Sequence, residues 1–145
     1  MGALGLTREQ MDALVDEHFR FEATDDVDGV MGTLHDRAVH EVIPSPVGEL
    51  QDPAEQRAYY ELLFGSMTGT SVEPLRRYYG DDFLVDETLW HGRIDDGRPF
   101  LCDGRSGEVS FRLLHVFEFH DGKIGREQVW CDLAAIQRQL GCAAS

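Results

Sequence analysis

The sequence is short of cysteine and of positive charge, and it has no long apolar run. Its three cysteines, Cys102, Cys131 and Cys142, are too few and too scattered for a disulfide framework or a zinc knuckle, so all three are expected to be free thiols. Thirteen Lys and Arg stand against twenty-seven Asp and Glu, a formal net charge of −14. A surface of that sign repels phosphate backbones, which argues against nucleic acid as a partner and leaves solubility as the use of the acidity. No apolar stretch approaches the roughly 20 residues a membrane span needs. Met1 to Thr7 has neither a basic start nor the apolar core of a leader. The expectation is a cytoplasmic protein with no membrane contact. Internal repeats, linkers and low-complexity tracts are absent too. Gly104-Arg-Ser-Gly107 has no helix after it and reads as a hairpin loop rather than a phosphate cradle. Nothing supports a serine or cysteine nucleophile.

What is there fits one domain. A chain of 145 residues, 42% hydrophobic, is long enough to bury a core and a ligand cavity. Thr7 and Gln10 make a capping box, and Met11, Leu14, Val15, His18 and Phe19 follow at helical spacing, so a first helix is expected from Arg8 to about Ala23. Asp25 and Asp26 are cap candidates for a shorter helix that turns Val27, Val30, Met31 and Leu34 inward. Ala38 to Ile43 reads as a short strand ended by Pro44-Ser-Pro46-Val-Gly48. Asp52-Pro53-Ala54-Glu55 opens a third helix, which carries Tyr59, Tyr60, Leu62, Leu63, Phe64 and Met67.

From Ser71 the pattern changes to strands. Val72 to Tyr79, Phe83 to Ile94 and Phe100 to Phe119 are rich in β-branched and aromatic residues, and Gly80-Asp-Asp82 and Asp95-Asp-Gly97 break them. Phe111, Leu113, His115, Phe117 and Phe119 alternate and share one strand face. Asp121-Gly122 is a two-residue hairpin turn, so Lys123 to Cys131 should return antiparallel. Asp132 then caps a short helix with Leu133, Ile136 and Leu140 on its apolar face, stopped by Gly141. Helices first and strands afterwards give an α+β arrangement with a mostly antiparallel sheet.

Asp121-Gly-Lys-Ile124, Trp130-Cys-Asp132 and Gln139-Leu-Gly141 together resemble the C-terminal signature of the SnoaL-like and ketosteroid-isomerase-like branch of the nuclear transport factor two superfamily. The resemblance spans about Thr7 to Gly141. It implies a strongly curved sheet wrapped as a cone around the N-terminal helices, with an apolar pocket at the open end. It also implies activity without a cofactor.

His115 is the first candidate, because it interrupts a face otherwise made of leucine and phenylalanine. Burial pulls an imidazole pKa below about 6.5, and such a group can act as base, acid or hydrogen-bond donor. The alternative is a core histidine satisfied by a neighbour. In the resembled families this position matches a pocket histidine in SnoaL-type cyclases and the oxyanion-binding aspartic acid of ketosteroid isomerases. His18 falls where those isomerases place an oxyanion tyrosine, or else it marks the edge of the first helix. His40 shares a face with Ala38 and Val42, while Glu41 points the other way; His40 lines the pocket or sits exposed on its strand.

Both carboxylate bases of the resembled enzymes are missing: Val129 and Val42 stand at their positions. Glu127 shares the inward parity of Val129. In an apolar pocket its pKa would be raised towards neutrality, which suits a general acid or base; at the rim it would instead pair with Arg112 or Arg126. Asp86 and Glu87 must face opposite ways, and the alternation does not choose between them. Tyr60, Trp90 and Trp130 are candidates for the core, a dimer interface or ligand stacking. Tyr60, Trp90, Val42, Val129, Leu113 and Phe117 are the expected substrate-binding wall. His18, His40 and His115 could supply three imidazoles to a metal, but no short helical spacing supports it, and no metal is expected.

The first functional reading is a cofactor-independent enzyme that moves a proton beside a carbonyl, in an isomerisation, cyclisation or dehydration. The substrate would be a small apolar polyketide-, steroid- or terpenoid-like molecule. His115 would hold the developing oxyanion, and His40 or Glu127 would move the proton. The rivals are epoxide opening by a water held on Glu127 or a histidine, and a non-catalytic binding or assembly module. Leu114, Val116 and Trp130 on the outer face suggest a homodimer under every reading.

Overall fold

Thr7 starts the first helix as the capping box requires: its hydroxyl accepts the amide of Gln10 at 3.1 Å, and the Gln10 side chain accepts the amide of Thr7 at 2.9 Å. In the computed structural model, which describes residues 5–142, this helix (α1) runs Arg8–Ala23. Of Met1 to Thr7, expected not to form a leader, residues 1–4 lie outside the described residues. Asp26 caps α2, Val27–Thr33, through the amide of Gly29. Leu34 then opens β1, Leu34–Ile43, so this strand begins four residues before the expected Ala38 and Leu34 is buried from a strand, not a helix. The two-residue β2, Glu49–Leu50, pairs back on β1. Asp52 and Pro53 open α3, Pro53–Ser66.

Four strands and one helix complete the chain. They are β3 Met67–Tyr79, β4 Phe83–Ile94, β5 Gly107–His120, β6 Lys123–Cys131 and α4 Leu133–Leu140. The sheet order is β2-β1-β6-β5-β4-β3. All neighbours are antiparallel except β1 and β6, which run parallel. The fold is thus α+β with a mostly antiparallel sheet, curved rather than closed.

β3 opens at Met67, five residues before the expected Val72, which places Met67 on a strand and not on the third helix. Two further expectations change. Residues 100–106 do not extend β5: Pro99 lies in a 3₁₀ turn over Arg98–Phe100, and Leu101 and Gly104 take φ of 58° and 77°, so pairing starts only at Gly107. Proline has no amide to give a sheet ladder, and left-handed residues cannot continue a strand. The cysteines are the second change. Cys102 and Cys142 form a disulfide with Cα atoms 5.8 Å apart, and only Cys131 is free. They are 40 positions apart in sequence, and α4 folding back over the 3₁₀ turn brings them together.

Curvature comes from irregular pairing. Register shifts interrupt the β3–β4 ladder twice and the β5–β6 ladder once, and each extra residue bends and twists its strand. At Gly92 a Cβ would sit 2.4 Å from the carbonyl oxygen of Thr68, so the β3 backbone can close in only over a glycine. The β5–β6 turn uses positive φ at both Asp121 (50°) and Gly122 (76°), the twist that a two-residue hairpin needs.

The buried residues form two clusters. One joins the helices to the sheet through Met11, Val15, Val30, Tyr60, Leu84 and Phe117. The other lies under α4 and contains Ile94, Phe100, Val109, Phe111, Ile136 and Leu140. Fully burying each large apolar side chain is worth ~1.5–3 kcal/mol.

Candidate active site

Residues from both clusters leave a cavity of about 740 Å³ between them, within the range of small-molecule sites. Tyr60 and Phe64 from α3, Trp90 from β4, Phe111 and Leu113 from β5 and Phe100 from the 3₁₀ turn form its apolar wall. Val42 and Val129 lie on it as well, directly paired across the β1–β6 ladder. Phe117 does not. It is fully buried behind the wall, with its ring stacked on His115 at 5.5 Å and 7°.

The four expected polar residues divide into two layers. His40 and His115 reach the cavity wall. His18 and Glu127 are buried beneath it, at 0% and 1% exposure. The parity argument that turned Glu127 inward matches its placement, but Glu127 joins neither Arg112 nor Arg126. Those arginines pair on the outer surface with Glu87, Glu49 and Glu118.

The hidden layer carries charge. Thr33 spends its one hydroxyl hydrogen on the carbonyl of Val30 at 2.6 Å, so its oxygen must accept from Nδ1–H of His18 at 2.7 Å. Nε2 of His18 meets Oε2 of Glu127 at 2.7 Å, a length typical of a charge-assisted bond. With a proton on each nitrogen, His18 is an imidazolium. Burial alone would lower its pKa, but the Glu127 carboxylate, with the Glu22 carboxyl beside it, overcomes that and pushes it up to about 10.

The other oxygen of Glu127 accepts a short hydrogen bond from the Tyr60 hydroxyl and lies 3.3 Å from Nε2 of His40. Burial opposes charge on Glu127, yet His18 outweighs it, and the carboxyl is held well below its ordinary range. The raised pKa expected from an apolar setting is therefore corrected. The neighbours that decide it come from α1, β1 and α3, not from its own strand.

The wall histidines behave oppositely. Burial pushes His115 down to about 4, only partly resisted by Glu127, and lowers His40 for the same reason. Both are neutral near pH 7. Nδ1 of each is buried without a hydrogen-bond partner. Phe19 packs edge-on against His115 at 4.9 Å, and Tyr60 tilts against His40 at 4.8 Å, so both rings are held by aromatic contacts.

Glu22 on α1 was not among the expected residues. It lines the cavity, and its Oε1 lies 3.3 Å from Nε2 of His18. The signal was available: Glu22 follows His18 by four positions, which is one face of a helix. Asp86 faces inward and Glu87 outward. Asp86 pairs with Arg77 at 2.7 Å, and Arg77 also reaches Asp12 and Asp16 of α1 at 2.8 and 2.6 Å. This knot clamps α1 to the sheet away from the cavity wall.

The sequence profile of the SnoaL-like domain matches residues 15–127, the stretch that carries His18, Glu22, His40, Tyr60, His115 and Glu127. The chain belongs to the SnoaL-like domain family. No curated protein matches the sequence. Solved structures share the fold of this SnoaL-like domain at low identity. A protein from Jannaschia sp. CCS1, assigned as a SnoaL-like polyketide cyclase, superposes with a TM-score of 0.77 at 14% identity, over 100% of this chain and 98% of that one. TsrD from Streptomyces laurentii gives 0.74 at 22%, over 94% and 98%. An M. tuberculosis LEH-like epoxide hydrolase gives 0.68 at 18%, over 91% and 90%. One scaffold of this kind hosts several reactions, so the reaction must be argued from the site. Among the described residues no helix is long and apolar enough to cross a membrane.

Proposed function

We propose that this SnoaL-like domain is a cofactor-independent enzyme that moves a proton beside a carbonyl of a small, largely apolar organic molecule. The observation that carries this reading is the pair of neutral imidazoles, His40 and His115, on the wall of an apolar cavity of about 740 Å³ with anionic Glu127 buried behind them.

A histidine that takes a proton from carbon must be neutral beforehand and tolerate charge afterwards. His40 meets both needs. Burial keeps it neutral, and Glu127 at 3.3 Å would stabilise the imidazolium once formed. Glu127 therefore positions and supports the base instead of moving the proton itself. His115 would donate a hydrogen bond to the oxyanion that develops on the carbonyl, where an apolar wall strengthens the interaction. Trp90, Phe111 and Leu113 would hold the carbon skeleton.

Epoxide opening has less support. Of the two groups expected to hold its water, Glu127 or a histidine, Glu127 is hidden beneath the wall, which leaves only His40 and His115. The proposed active form is a homodimer through the outer sheet face, where Leu114 pairs across strands with Trp130, 45% exposed.

The test is loss of the α-proton signal of 2-tetralone in deuterated water, followed by proton NMR. Wild type should accelerate the exchange, and His115→Phe should slow it by about 10²-fold or more while the fold survives. Equal exchange by the two proteins would remove His115 from the mechanism.

A further inference from the structure

Two carboxyl groups converge on one nitrogen of His18. Oε2 of Glu127 lies 2.7 Å from Nε2 and Oε1 of Glu22 lies 3.3 Å from the same atom. One imidazolium cannot neutralise two carboxylates, one buried and one part-buried, and like charges so placed favour a proton on one of them.

The surroundings decide which. Glu127 has the Tyr60 hydroxyl on one oxygen, His18 on the other, and His40 at 3.3 Å. Glu22 has only the longer contact to His18, and its side chain is 22% exposed. The anion belongs where the donors are.

We infer that Glu22 is a protonated carboxyl on the cavity wall and the general acid of this site, delivering its proton to a substrate oxygen that becomes negative. The inference rests on the proposed reaction and assigns it a third catalytic residue, after His40 and His115. As His40 takes the proton from carbon, the C–H electron pair moves into a carbon–carbon double bond and the carbonyl π pair moves to oxygen. That oxygen accepts the Glu22 proton, giving an enol isomeric with the ketone. Glu22 is left as a carboxylate 3.3 Å from the imidazolium of His18, which offsets the new charge. Return of the proton from His40 to Glu22 resets the site. His18 is a positioning residue in this scheme, and the group the cavity accepts is an oxygen acceptor rather than an amine. Burial and the charge on Glu127 both raise the Glu22 pKa, against the pull of His18, in agreement with this arrangement.

The same three side chains could be imagined around a divalent cation, and the distances argue against it. Ligands on an ion at ~2.0–2.2 Å, set at right angles or wider, stand about 3 Å or more apart. Glu127 and His18 are closer than that and share a proton instead.

Infrared difference spectroscopy tests the proton directly. At pH 7, subtracting the spectrum of Glu22→Gln from that of wild type should leave the carbonyl band of a protonated carboxyl, with a shift in deuterated water. Glu22→Leu, which needs no polar partner, should lose the same band. Absence of that band from both differences overturns the inference. So does tight binding of one equivalent of Zn²⁺ or Mn²⁺ by wild type, in calorimetric titration, that Glu22→Gln abolishes. In the 2-tetralone assay Glu22→Gln keeps a hydrogen-bond donor but cannot release a proton, and should slow enol formation by about 10²-fold. Unchanged exchange in that variant overturns the acid role alone. A wild type that exchanges nothing overturns the proposed reaction and the acid role with it, while the infrared result still fixes where the proton resides.

Discussion

His18 and His115 pack against the same ring, each 5.5 Å from the centroid of Phe117, and burial pulls both down, yet their pKa values end on opposite sides of 6.5. The difference lies in partners: His18 has Glu127, Glu22 and Thr33, while Nδ1 of His115 has none. Because the folded pKa of His18 is raised from 6.5 to about 10, its contribution to stability should be complete below about pH 6.5. It should decline as pH rises through 10, since the native state then holds a proton that the unfolded chain has lost. Urea unfolding across that window should show the decline; a flat profile would mean that His18 is neutral. Replacing Glu127 by Gln leaves the buried imidazolium only the longer contact to Glu22 and should cost up to ~3–5 kcal/mol by the same measurement.

Residues this far apart in sequence could not announce one another. The alternation along β5 and β6 was enough to turn His115 and Glu127 inward, because side-chain parity is local. It could not say that the neighbour of Glu127 would be a cation from α1, 109 positions away, so the sign of the Glu127 shift was misjudged. Glu22 was legible at helical spacing from His18, but only once His18 was known to matter.

At the scale of elements, caps and turns were the most readable features, since Thr7, Asp26, Asp52 and Asp132 each act within four residues. The helix bounds and the β5–β6 hairpin follow from them. What escaped was set by contacts between elements. The early start of β1 depends on pairing with β6, and the late start of β5 depends on the turn built by Pro99, Leu101 and Gly104. Sheet curvature was implied only by resemblance, and its local cause at Gly92 is testable. Gly92→Ala places a Cβ against the backbone of Thr68 and should destabilise the protein by ~1–3 kcal/mol in denaturant unfolding. A neutral effect would show that β3 can move away without loss.

At the scale of the molecule, the two core clusters hold the cavity open between them, and the Cys102–Cys142 disulfide ties the turn that carries Phe100 to the end of α4. Thiol titration of the denatured, unreduced chain should find one thiol, Cys131, and three after reduction; three without reduction would contradict the pairing. The proposed proton transfer depends on two layers of polar groups, a charged one buried under a neutral one. Nitrogen–proton NMR correlation of the histidine rings at pH 7 examines this arrangement directly. His18 should carry protons on both nitrogens while His40 and His115 each carry one. A neutral His18, or a charged ring at His40 or His115, would contradict it.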